Sequence, residues 1–155
     1  SIAAGPGRVA RKMQDGAAKC LFHGRKLKPI PTVYNRPRMS RLTTHVLDLT
    51  SGSPAGGMTV ELAAIDGATR RVVASVKTNR DGRCDGALLE GERFTAGVWQ
   101  LEFHVAAYFR AQGVPLADPP FLDVVTVRFG VADPGRHHHV PLLVTPWSYS
   151  TYRGS

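Results

Sequence analysis

The sequence predicts an all-β fold, a sandwich of about seven or eight short strands. Three observations predict it. Beyond residue 40, apolar and polar residues alternate with the period of half-buried strands. Turn chemistry rich in Gly, Pro and Asp cuts the alternation into short pieces. A single segment has the character of a helix, and it is brief.

The elements follow in order. Leu42–Asp48 is the first strand. Met58, Val60 and Leu62 alternate with Thr59, Glu61 and Ala63 in the next, and Val72–Lys77 is a third. Trp99, Leu101, Phe103 and Val105 turn inward, while Val98, Gln100, Glu102 and His104 turn outward. A short helix over Ala106–Gln112 stops at Gly113 and Pro115. Phe121–Phe129, Arg136–Val144 and Tyr149–Arg153 complete the strands. Between them lie the turn signals Ser51-Gly52-Ser53-Pro54, Asp66-Gly67, Asp81-Gly82 and Asp133-Pro134-Gly135. Neither an internal repeat nor a P-loop or Rossmann glycine pattern occurs.

A chain of 155 residues suits one domain with a real core. No apolar run approaches the roughly 20 residues of a membrane-spanning helix. Cys20 and Cys84 make neither a disulfide framework nor a zinc-site spacing, and are read as free thiols. The net charge of +8 is uneven: residues 1–38 hold nine Lys or Arg against the single acid Asp15, whereas residues 39–155 hold eleven of each sign. The basicity thus belongs to a proline-bearing tail of little periodicity, expected to be disordered and dispensable, with Met39 a natural start for the domain over 39–155. It lacks the apolar stretch of a secretory signal and the serine content of a transit peptide. A nucleic-acid arm would need a matching basic face on the domain. No nucleic acid, no membrane and a cytoplasmic location are therefore the expectation.

Chemistry must come from isolated polar residues carried on strands. Chain ends are normally frayed. Here Tyr149-Ser150-Thr151-Tyr152-Arg153-Gly154-Ser155 follows an apolar run directly, as a final strand held in a sheet would, and offers phenols, a guanidinium and a hydroxyl at fixed places. His45, inside the first strand, is either a sheet-surface histidine satisfied by water or a site residue; His104 reads as the former. In His137-His138-His139 the outer two share one face. With His45 they could make a three-histidine metal set, but no acidic or cysteine ligand completes it by spacing. Arg83, after the Asp81-Gly82 turn, matters only if histidines and an anionic ligand converge on its bidentate fork.

Taken together, His45-Val46-Leu47-Asp48, then Gly52, Pro54 and Ala55, then Asp81-Gly82-Arg83, then His137-x-His139-Val140-Pro141-Leu142-Leu143, and the Tyr-Arg-Gly-Ser ending occur in that order. This resembles the 5-hydroxyisourate hydrolases, the transthyretin-related proteins, over about residues 40–155. The resemblance implies a transthyretin-like β-sandwich of two four-stranded sheets with one short helix. It implies hydrolysis of 5-hydroxyisourate to 2-oxo-4-hydroxy-4-carboxy-5-ureidoimidazoline in urate catabolism, with no metal or organic cofactor. It further implies a homotetramer, a dimer of dimers with its sites where the dimers meet. His138 stands where the family commonly has tyrosine, and strand alternation turns it from the site.

Matched by motif, His45, Arg83, His139 and Ser155 are the implied catalytic residues. His45, Arg83, Tyr152 and Arg153 are the implied substrate contacts. One of His45 and His139 would accept the proton of water while the other orients or donates. Arg83 would hold the ring oxygens, and Tyr152 and Ser155 would line the pocket. Arg153 either pairs with the terminal carboxylate or faces outward. The rival expectation is a transthyretin-like carrier that binds a small ligand without turnover.

Overall fold

The computed structural model describes residues 40–154. The expected extension over 1–38 and the candidate Ser155 lie outside the described residues. In chain order the elements are β1 (Arg41–Thr43), β2 (Val46–Asp48), β3 (Ser53–Pro54), β4 (Thr59–Asp66), β5 (Thr69–Lys77) and β6 (Leu89–Glu90). A 3-10 turn at Gly91–Arg93 follows, then β7 (Gly97–His104), α1 (Val105–Ala111), β8 (Val124–Val131), β9 (His137–His139), β10 (Leu142–Val144) and β11 (Tyr149–Thr151). The fold is all-β with one α-helix among the described residues, and that helix is not long and apolar enough to cross a membrane.

One layer is the antiparallel sheet β5-β4-β7-β8. The other is assembled from β6-β1-β9 and β11-β10-β2-β3. The strands expected over 42–48 and 136–144 are each interrupted, but the register passes through the break. Thr43 faces His139 on one side of it, and Val46 faces Leu142 on the other. Val140 N donates to Thr43 O at 3.0 Å and Leu142 N to His45 O at 2.8 Å, so the parallel pairing is unbroken in substance.

Pro141 explains the irregularity. Its missing N–H falls on the side facing the terminal strand, since its neighbours Val140 and Leu142 spend theirs on β1 and β2. Pairing of β11 with β10 therefore stops at Thr151, and Tyr152 and Arg153 stand outside any strand. It resumes at Gly154, whose N donates to His139 O at 2.8 Å. The strand expected over 149–153 is shorter for that reason. β8 likewise begins at Val124 rather than Phe121, because its partner β7 ends at His104, opposite Val124. The two-residue strands β3 and β6 carry no alternation of their own; pairing to Leu47 and Leu42 defines them.

Alternation builds the core. Leu42, Val46, Leu142 and Val144 from one layer meet Val60, Leu62, Leu101, Phe103 and Val125 from the other in a single buried cluster. Each large apolar side chain so buried contributes about 1.5–3 kcal/mol relative to exposure. Thr44 and Asp48 also turn inward, and both are satisfied. Thr44 Oγ1 donates to Val140 O at 2.7 Å. The Asp48 carboxylate accepts from Thr50 N, Ser51 N, Ser51 Oγ and Tyr108 Oη. Burial, and then the Asp48 charge, push the Tyr108 phenol up to about 12.

The outward residues of the interrupted layer are Thr43, His45 and Leu47 on one chain segment and His137, His139 and Leu143 on the other, all half-buried. The loop between β5 and β6 packs beside them. Gly82 lies at φ +68°, and Val46 N donates to Gly82 O at 2.8 Å. A Cβ on Gly82 would run into the Val46 carbonyl oxygen. Gly82→Ala is therefore expected to destabilise the fold by about 2–4 kcal/mol, adding left-handed strain to a backbone collision. Urea denaturation would show the lower midpoint.

Candidate functional site

Three chain segments distant in sequence converge on the outer face of the interrupted layer. β1 and β2 carry Thr43 and His45, β9 carries His137 and His139, and the β5–β6 loop carries Arg83. His45 and Arg83 face each other in an antiparallel bridge. The loop is stiffened from within: Asn79 Oδ1 accepts from Asp81 N and Arg83 N at 3.0 and 3.1 Å, and Asn79 N donates to Arg83 O at 2.7 Å. Buried Thr78 anchors its start, donating to Ala55 O at 2.6 Å and accepting from Met58 N at 2.9 Å. Arg83 thus leaves a braced turn at a set position.

An open cleft of about 440 Å³ lies here, lined by Arg41, Thr43, Arg83, Cys84, His137 and His139 among others. Thr43 Oγ1 stands 2.8 Å from Nε2 of His137 and 2.9 Å from Nδ1 of His139. The chain end closes against His139: a Cβ on Gly154 would come within 3.0 Å of the His139 ring carbon Cδ2. Glycine here lets the terminal segment lie flat on the imidazole.

The electrostatics favour neutral imidazoles. Burial, followed by the Arg83 guanidinium, lowers the pKa of His45, with the Asp81 main chain and carboxylate opposing. Burial lowers that of His139 too, helped by Arg83, His137 and His45 and opposed by the Thr43 main chain. Burial and then Arg41 and His138 do the same to His137. Each ring therefore holds a lone pair available to accept a proton at neutral pH. Beside them are guanidiniums suited to planar oxygen acceptors. Burial, then Asp85, push the Cys84 thiol up, which disfavours the thiolate.

His45, Arg83 and His139 are thus brought together, although His45, paired with Arg83 through the backbone, is not part of the wall of the cleft. Tyr152 and Arg153 are exposed at the chain end, and Ser155 is outside the described residues. His138 is buried, its ring edge-on to Phe94 at 5.4 Å and its Nδ1 3.0 Å from Arg136 O. The Nε2 of His104 is buried without a partner, and the residue lies in the other layer. Among the described residues no three His, Cys, Asp or Glu side chains are arranged to hold a metal ion, so His45, His137 and His139 do not form the metal set their spacing left open. Sequence reading passed over Thr43 and Arg41; both lie two-residue steps before His45 on the same strand face, which is the signal that could have found them.

A family model described as the HIUase/Transthyretin family matches residues 42–154. A 5-hydroxyisourate hydrolase of Ralstonia nicotianae is 59% identical over 117 residues, covering 76% of this chain and 100% of that relative. The crystal structure of an (S)-allantoin synthase superposes with a TM-score of 0.72 at 42% identity, covering 76% of this chain but only 44% of that longer one. The 5-hydroxyisourate hydrolase of Klebsiella pneumoniae superposes with a TM-score of 0.62 at 32% identity, over 74% of this chain and 99% of its own.

The charge pattern has a direct test. Replacing Arg83 with Gln removes a positive neighbour, so the imidazoles of His45 and His139 should titrate at higher pH, read from their ring-proton NMR shifts. Stability carries the same sign. The folded protein binds protons on these rings less readily than the unfolded chain. Their contribution is complete above the unfolded value of about 6.5 and is lost as pH falls through the lowered folded values. Denaturation midpoints should accordingly drop on acidification below about pH 6.5.

Proposed function

The chain belongs to the HIUase/Transthyretin family, and from that premise we propose that it hydrolyses 5-hydroxyisourate at the cleft beside His139 and Arg83. The observation that carries this reading is the meeting of neutral histidines and a guanidinium borne on a braced turn, in a chain 59% identical to a named hydrolase of that substrate. The reaction opens a cyclic amide. Water adds to the ring carbonyl beside the hydroxyl-bearing carbon and forms a tetrahedral oxyanion. The carbon–nitrogen bond then breaks. The carbonyl carbon becomes the carboxyl group, and the released nitrogen, now the end of a ureido group, takes up a proton.

Each step has a residue suited to it. His139, in the wall of the cleft, takes the proton of the attacking water, and the resulting imidazolium returns it to the leaving nitrogen. His45, paired through the backbone with Arg83, orients substrate and water. The Arg83 fork holds the ring oxygens and stabilises the oxyanion. Tyr152 and Arg153 meet the substrate from the chain end, and Ser155 is assigned to the site on the resemblance alone. No step calls for a metal or organic cofactor. The carrier alternative finds no support in this lining, since guanidiniums, imidazoles and a hydroxyl are poor partners for an apolar ligand.

The reading includes a homotetramer in the cytoplasm, with a second copy closing the open cleft. Supporting association between copies, the outer strands β3, β5, β6, β8 and β11 each pair on one side only among the described residues, and unpaired edges invite strand pairing. Catalysis is assigned to residues 39–155, the stretch that contains the family match at 42–154.

Several outcomes are expected. Purified protein should accelerate the decay of 5-hydroxyisourate absorbance well beyond the buffer rate; the buffer rate alone would reject the reading. His139→Ala and Arg83→Ala should each lower kcat/KM by about 10²–10³ without unfolding the protein. Gly154→Ala should cost about tenfold in kcat, because its new methyl group displaces the imidazole by a few tenths of an ångström. Deleting residues 1–38 should leave turnover intact.

A further inference from the structure

We propose that Thr43 and His137 are positioning residues for the hydrolysis, acting through His139 to keep the proton on its Nδ1 and the lone pair on its Nε2. This rests on the reading of His139 as the general base. It starts from a count of protons. Thr43 Oγ1 is 2.9 Å from Nδ1 of His139 and 2.8 Å from Nε2 of His137. A hydroxyl has one proton to donate and lone pairs to accept with. It could accept from both rings, but its own proton would then have no acceptor among the described residues; with that proton used, it donates to one ring and accepts from the other, and the two tautomers are coupled.

Two arrangements use the hydroxyl proton within the trio. In the first, Nδ1–H of His139 donates to Thr43 Oγ1, and the hydroxyl donates to Nε2 of His137. His139 then presents a bare Nε2, which has no hydrogen-bond partner among the described residues and is not buried. In the second, the hydroxyl donates to Nδ1 of His139, whose proton moves to Nε2. The atom that must accept a proton from water is then already occupied.

The reading of His139 as the base requires the first arrangement, since only that one leaves Nε2 bare on a ring that lines the cleft. Burial, and then Arg41, disfavour charging of the His137 ring, so His137 enters the pair as a neutral imidazole with one nitrogen free to accept. The device has the logic of a carboxylate behind a catalytic histidine, with neutral groups in place of the anion. A carboxylate there would raise the basicity of His139 and be drawn to Arg41 or Arg83; a threonine and a neutral imidazole set the tautomer without doing either.

The test uses the full chain with 5-hydroxyisourate. Thr43→Val and His137→Leu should each lower kcat by about tenfold, the rate equivalent of one hydrogen bond, with KM little changed. Thr43→Ser should regain most of the turnover. The double variant Thr43→Val/His137→Leu should be no worse than either single one, because both remove the same chain of bonds. In Thr43→Val the acid limb of kcat/KM should move to lower pH, since the imidazolium of His139 loses its acceptor. The charged and titratable groups facing it (Arg83, His45 and His137, with Arg41 and His138 behind His137) are all unchanged in that variant. Nitrogen-15 shifts of the rings above their titration range should place the proton on Nδ1 of both His139 and His137. Wild-type kcat and an unmoved acid limb in Thr43→Val, additive losses in the double variant, or a proton on Nε2 of His139 would each overturn the proposal. Retained turnover in His139→Ala would instead overturn the base assignment, and the nitrogen shifts would still judge the tautomer lock by itself.

Discussion

The parallel register between residues 41–48 and 137–144 is the constraint on which the rest depends. It joins segments about as far apart in the described chain as two strands can be, and it decides at once which residues enter the core and which face the cleft. A slip of one residue would invert one segment against the other, turning either His45 inward and Leu42 out, or His139 inward and Leu142 out. The slip is opposed on the inner face by the packed apolar residues of both layers and by the buried bond from Thr44 Oγ1 to Val140 O. On the outer face, the Thr43 hydroxyl between two imidazoles holds the same register from the other side.

Around that pairing, the groups of the cleft are assembled from pieces that are each held elsewhere. Arg83 is positioned by its own turn, by Asn79 and by the close approach of Gly82 to Val46. His139 is held by its strand, by Thr43 and by the flat backbone of Gly154. The charge arrangement follows from this mixture. Burial, and then guanidiniums that have no carboxylate partner in the cleft wall among the described residues, keep the imidazoles neutral and leave the positive charge available for the oxygens of a substrate. A hydrolytic site needs both properties together: an unprotonated base and an uncommitted positive charge.

Much of this was legible in the residues. Alternation along 97–104 and 59–66 marks strands whose two faces differ, and the helix ending at Gly113 has a local signal. The cluster of His45, Arg83 and His139 was readable only as an ordered set of motifs, since nothing local brings an arginine after a turn to a histidine on a strand. What escaped depends on partners. The strands β3 and β6 exist because Leu47 and Leu42 are beside them. The interruption of β11 depends on the side to which Pro141 would have directed an N–H. The pairing of His137 with Thr43 depends on a register that spans most of the domain. His137 was weighed as a metal ligand, whereas its neighbour in space is a hydroxyl.

Gly154 lets a second backbone segment share the His139 ring with the sheet that carries it. The main chain after Thr151 leaves its neighbour opposite Pro141 and returns to it at His139, so the imidazole lies between its own strand and the returning segment. The two cannot move separately: a displacement of residues 152–154 would pass directly into the position of that ring.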